Sequence, residues 1–146
     1  MLLDIVAHPI ESNGHEYLKI RSAIDLCVFH SPTQIKVRPL KALWDTGATN
    51  TCIPMDPALK MGIPLREETI MHLDTVEQPS RFRSFYLRFS DEHYEFVRDG
   101  VAISGSKNRL VIGMDVMKRG MTTITPDGKG GVCFTFEIND NKNTNP

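Results

Sequence analysis

The chain has 146 residues, 40% hydrophobic and 24% charged, enough for one compact domain with a sizeable core and little beyond it. Lysine and arginine total 17 against 18 acidic residues, so a formal net charge of -1 offers no footprint for nucleic acid or an anionic membrane. The longest apolar runs fall well short of the ~20 residues that cross a bilayer, and the opening residues lack the basic segment and sustained apolar stretch of a secretory signal.

A soluble protein without a signal peptide is therefore expected. Cys27, Cys52 and Cys133 are odd in number, far apart and without a Cys-x-x-Cys pair. They fit small buried apolar residues in a reducing, cytoplasmic compartment rather than a disulfide framework or a zinc site. In chain order, residues 17–21 and 24–29 alternate apolar and polar, which predicts two strands with a short break between them. His30-Ser31-Pro32-Thr33 supplies a turn, after which 34–38 resumes the alternation and 42–44 runs apolar into Asp45. Over 55–62, Asp56 reads as a helix cap, Pro57 as the first helical position and Gly62 as the stop.

Residues 69–73, 82–89, 94–97 and 100–103 read as short strands, and the polar stretch 74–80 as a hairpin tip. A buried strand over 109–112 leads to Gly113, and 114–120 has the length and final glycine of a short helix. Residues 121–125 then pair with 132–138 across the turn-rich 126–131. The expectation is one mainly β domain over 1–138 with one or two short helices, followed by a polar, disordered tail over 139–146. No internal repeat is present.

The segment that carries chemistry is Ala42-Leu43-Trp44-Asp45-Thr46-Gly47-Ala48-Thr49, where an apolar strand delivers an acid, a hydroxyl and a glycine into a turn. A carboxylate held at the end of a buried strand is costly unless its charge is shared or hydrogen-bonded, so its placement marks a use. Gly47 lets the backbone turn sharply and another chain come close. Asp-Thr-Gly alone is also an ordinary turn, and the flanks decide. The segment resembles the active-site signature of retropepsin-like aspartic peptidases, with Leu43-Trp44 as the apolar pair and Ala48 and Thr49 completing the pattern. Downstream, Leu110-Val111-Ile112-Gly113-Met114-Asp115 is similar to the family's second motif, at a similar interval from the first. The resemblance spans roughly 17–138.

The resemblance implies a closed, barrel-like acid protease fold with Asp45 catalytic and Thr46 and Gly47 in the active-site loop, Thr46 reaching across to the opposite loop. It puts Ala48, Thr49, Val111 and Ile112 along the substrate cleft, makes Gly113 and Asp115 structural, and requires neither cofactor nor metal. It implies a flap at Asp74, Thr75, Val76 and Glu77; residues 72–81 contain no glycine, so that flap is stiffer or shorter than the family's. His8, His15, His30, His72 and His93 lack the spacing of a metal site. Met55, Met61, Met71, Met114, Met117 and Met121 are expected to fill core gaps near the helices, and Phe85, Tyr86 and Phe89 to pack strands.

Aspartic peptidase chemistry uses two carboxylates at hydrogen-bonding distance, which as like charges cannot both ionise and so divide one proton between them. The chain has one Asp-Thr-Gly, so Asp45 has to meet its copy across the two-fold axis of a homodimer. Alanine at position 48 has no hydroxyl to stabilise a neighbouring carboxylate, which predicts an optimum in mild rather than strong acid. The reading is an aspartic endopeptidase acting on peptides or proteins, with no nucleic-acid or membrane partner. The alternative is a non-catalytic dimerisation or peptide-binding module, which the glycine-free flap favours.

Overall fold

A computed structural model describes residues 1–66, 81–103 and 109–139. The chain builds β1 (Leu2–Ala7), β2 (Ile10–Ser12), β3 (His15–Tyr17), β4 (Ile20–Ser31), β5 (Gln34–Trp44), β6 (Cys52–Pro54), α1 (Met55–Lys60) and β7 (Leu65–Arg66). Then come β8 (Arg81–Ser90), β9 (His93–Ile103), β10 (Arg109–Ile112), α2 (Met114–Met117), β11 (Met121–Pro126) and β12 (Val132–Glu137). The large sheet runs β4-β5-β10-β6-β9-β8-β7, and β4 also pairs with β8, so six strands close into a barrel with β7 outside the ring. Closure leaves those six strands no free edge. A second sheet, β1-β12-β11, shares its hydrophobic core with the barrel through Phe134 and Phe136.

Several elements are longer and more continuous than the sequence pattern predicts, but the strand expected over 17–21 is divided, Tyr17 ending β3, Leu18 and Lys19 lying in no strand and Ile20 opening β4, and α2 stops at Met117, short of the expected 114–120. The expected break before Ile24 is absorbed into β4, whose small residues Ser22 and Ala23 sit opposite Ala42 and Lys41 without interrupting the ladder. Segments 34–38 and 42–44 join into β5, and 94–97 and 100–103 into β9. Ser31 fixes the β4–β5 hairpin, its Oγ accepting the backbone N–H groups of Thr33 at 3.3 Å and Gln34 at 3.1 Å. α1 starts earlier than expected. Pro54 takes the cap position without a side-chain hydrogen bond and Asp56 lies in the first turn, while Gly62 ends the element at φ +75. Two N-terminal features escaped the pattern: β1, and the β2–β3 hairpin turned by Asn13 and Gly14, both at positive φ.

Alternation along β5 sends Leu40, Ala42 and Trp44 inward. Phe82, Phe85, Leu87 and Leu110 meet them in the barrel core, and each such fully buried side chain contributes roughly 1.5–3 kcal/mol. Trp44 joins the two sheets. Its ring lies 5.2 Å from Phe134 and 5.0 Å from Phe136 of β12, and its Nε1 donates to Ser22 Oγ at 2.9 Å. Opposite, Arg88 of β8 donates from Nε and Nη2 to Asp25 Oδ2 of β4, at 2.9 and 2.6 Å, across the seam that closes the barrel. Of the methionines, Met61 and Met117 fill the core, but Met114 and Met121 are 40% and 62% exposed, which corrects the expectation for those two. Met71, the strand expected over 69–73, the hairpin tip over 74–80 and all of the tail beyond Asn139 lie outside the described residues.

Candidate active site

Two strands deliver the site. β5 and β10 run parallel in the register Arg109–Lys41 to Ile112–Trp44, so both end at the same level and the loops beyond them meet. Asp45 continues the ladder for one bond, its N–H donating to Ile112 O at 3.0 Å. The chain then turns tightly, with Ala48 N–H donating to Asp45 O at 3.1 Å and Gly47 N–H to Asp45 Oδ1 at 2.9 Å. The Gly47 bond orients the Asp45 carboxylate at the tip of the loop, and Asp45, Thr46 and Gly47 are all exposed in the single chain. Within the single chain it is Trp44, one residue earlier, that the core takes.

The second motif bolts this loop down. Met114 N–H donates to Ala48 O at 2.8 Å and Asp115 N–H to Thr49 O at 3.1 Å. The Asp115 carboxylate accepts Thr51 N–H on Oδ2 at 2.9 Å and the Thr51 hydroxyl on Oδ1 at 2.7 Å, and that same hydroxyl accepts Gly113 N–H at 3.2 Å. Asp115 is thus a clamp on the opposite loop and not the cap of α2, a place Gly113 occupies. Gly113 admits no larger residue, because a Cβ there would stand 2.6 Å from the Asn50 carbonyl carbon and 2.9 Å from Ala48 O. Thr51, fully buried, is the residue that sequence reasoning missed. Its only sequence signal is a hydroxyl just before the apolar Cys52-Ile53-Pro54 run, and a buried hydroxyl needs a polar partner.

Among the other expected cleft residues, Ala48 is half-buried and Thr49 exposed, both on the loop. Val111 is half-buried, pairs with Leu43, and lines a cleft of about 280 Å³ on the outer face of β5 and β10. Ile112 is fully buried in the core, facing away from that cleft, so it cannot meet a ligand and this expectation is corrected. The flap residues Asp74, Thr75, Val76 and Glu77 lie outside the described residues. Behind α2, Arg119 Nη1 donates to Glu95 Oε2 at 3.1 Å and to Phe96 O at 2.6 Å. His93 Nε2 lies 2.7 Å from Glu95 Oε1, so this buried group anchors the helix end to β9.

A six-stranded barrel with one Asp-Thr-Gly loop clamped by a Gly-x-Asp segment is the architecture of a retropepsin-like aspartic protease. Residues 31–119 match the family described as "gag-polyprotein putative aspartyl protease". The chain belongs to this retropepsin-like aspartyl protease family. Its fold is similar to the crystal structure of a retropepsin-like aspartic protease from Rickettsia conorii, with TM-score 0.52 and 13% identity over 93% of this chain and 92% of that one. The retroviral protease-like domain of Ddi1 from Leishmania major aligns with TM-score 0.45 and 20% identity over 81% of this chain and 96% of that one. None of the curated proteins matches.

Proposed function

We propose that the protein is an aspartic endopeptidase whose active site forms between two copies of the chain. The observation that carries the reading is the Asp45 carboxylate, exposed at the tip of a loop that is held by hydrogen bonds from within itself, from β10 and from the Gly113–Asp115 segment. Among the described residues this preorganised acid accepts a hydrogen bond from its own loop and has no second carboxylate bonded to it, and a two-fold axis beside Thr46 supplies one with no further sequence. The ionised Asp45 takes a proton from water, whose oxygen bonds to the peptide carbonyl carbon, while the protonated partner copy donates to the carbonyl oxygen. Collapse breaks the C–N bond, and the departing nitrogen takes up the proton.

The surface beside the loop supports a dimer. A groove of about 490 Å³ runs along Thr46, Met114, Thr122 and Ile124. Met114 and Ile124 are 40% and 52% exposed there, and β11 is the outer strand of its sheet among the described residues. Apolar side chains and an open strand edge next to an incomplete site fit a second copy. A reducing, cytoplasmic setting is part of the same proposal, consistent with three cysteines unpaired with one another.

The experiment is digestion of a peptide library in mild acid by the protein and by Asp45→Asn, over a range of protein concentrations. Cleavage by the first alone, with specific activity rising as dimer accumulates, is the expected outcome. Equal products from both would assign the cleavage to a contaminant. The absence of glycine from 72–81 favours a second reading, a binding module that does not cut. Binding of peptides with no cleavage at any concentration or pH would establish that one instead.

A further inference from the structure

We infer that the cleft on the outer face of β5 and β10, which begins at Leu43 two residues before Asp45, selects peptides carrying acidic side chains next to an apolar residue; this rests on the peptidase reading for its orientation, and on charge for its content. Leu43 lies two positions before Asp45 on β5, and the ladder sets Arg21 of β4 and Val111 of β10 on either side of it. One step further from the loop, Lys41 lies between Ala23 and Arg109. Strand alternation sends Ala42 and Trp44 into the core, so Leu43 and Lys41 share the outer face. The result is a cleft of about 280 Å³ floored mainly by Leu43, Val111 and Ile103 and rimmed by Lys19, Arg21, Lys41 and Arg109.

Among the described residues no carboxylate lines it. All four cations are exposed, and among the described residues none forms an ion pair; Lys19 only stands over the Tyr17 ring, 6.0 Å from its centre. Four like charges around one small cleft repel one another, and an anionic ligand relieves that repulsion while exchanging carboxylate hydration for guanidinium hydrogen bonds. The formal net charge of the whole chain is -1, so the positive field is local to the cleft rather than a general attraction for polyanions. A narrow, apolar floor suits a side chain better than a nucleic-acid backbone. In the proposed homodimer the cleft occurs twice about the axis, so acidic residues are favoured on both sides of the cleaved bond.

The test uses two matched peptide sets with an apolar pair at the centre, flanked by Asp and Glu in one and by Asn and Gln in the other. Binding to the Asp45→Asn protein is measured by fluorescence anisotropy at neutral pH, and cleavage by the unsubstituted protein is measured in parallel. The acidic set is expected to bind about tenfold more tightly at low salt, with the preference fading once ionic strength shortens screening to a few ångströms. The Arg21→Gln, Lys41→Gln, Arg109→Gln triple variant should lose that preference while keeping its unfolding midpoint. Equal binding of the two sets, a preference that survives in the triple variant, or no binding of either would overturn the proposal. Capture of a labelled oligonucleotide that the triple variant loses, without discrimination between peptides, would also overturn it. An acidic preference without cleavage leaves this inference standing and removes the peptidase reading; cleavage without preference does the reverse.

Discussion

The Thr51 hydroxyl donates to Asp115 Oδ1 at 2.7 Å while accepting the N–H of Gly113 at 3.2 Å, so one buried oxygen joins the loop bearing Asp45 to the strand end that supports it. Thr51→Val keeps the shape and removes both bonds, leaving Gly113 N–H without that acceptor. A destabilisation of about 1–3 kcal/mol is expected, measured by urea unfolding with Trp44 fluorescence. In an assay of peptide cleavage, kcat should fall more than KM rises, because the carboxylate loses its fixed position before the cleft loses its walls.

Gly113→Ala tests the same junction from the backbone side. The added methyl meets the carbonyls of Asn50 and Ala48, which are main-chain atoms that cannot rotate away. Overpacking of this kind costs about 1–3 kcal/mol, and a loop displaced by about 1 Å lowers kcat/KM on the order of a hundredfold. An unchanged unfolding midpoint in the Gly113→Ala variant would show that the junction has slack.

Cleavage should peak in mild acid. Ala48 offers the neighbouring carboxylate no side-chain donor; Ala48→Thr introduces a hydroxyl that favours the ionised form and moves the acidic limb of the rate profile to lower pH, by about one unit. A profile of the unsubstituted protein that peaks near ~pH 2, well below an ordinary aspartate, would contradict this account.

Asp127 gives a stability prediction with a definite sign. The backbone N–H of Lys129 at 2.7 Å, then that of Gly131 at 2.9 Å and the nearby His8, hold its carboxyl below the usual carboxylate range in the β11–β12 turn. Its folded-state pKa is therefore lower than its unfolded one, so its contribution is complete above the unfolded value and is lost as pH falls through the folded value. Asp127→Asn should be less stable than the parent at neutral pH, and the gap should close as both are unfolded in urea at progressively lower pH. A gap that is constant across that series would assign the effect to shape and not to charge.

Much of the fold was legible because period-2 alternation survives wherever one strand face is core, as in β4, β5, β8 and β12. The breaks between neighbouring strands were not, since small or polar residues such as Ser22 and Ala23 look like interruptions until a partner strand continues past them. β1 alternates too, yet its partner lies at the other end of the sequence, and local pattern carries no sign of that. At the site, Asp45, Thr46, Gly47, Gly113 and Asp115 stand together as the two motifs suggested, while Ile112 shows the limit of motif reading: adjacent to Val111, it faces the opposite side of the sheet. The four cations of the cleft became visible only once register placed β4, β5 and β10 side by side, and Thr51 only once its loop met the Gly113–Asp115 segment.

β1 pairs along its whole length with β12, Leu2 against Glu137 through Ala7 against Val132. During synthesis β1 precedes β12 and has to wait for it before that pairing can form. Phe134 and Phe136 arrive with β12, so Trp44, which meets Phe89 of β8 before that, gains the rest of its aromatic cover only when β12 is made. Such a sequence-distant pairing slows the final step of refolding relative to the local hairpins that precede it.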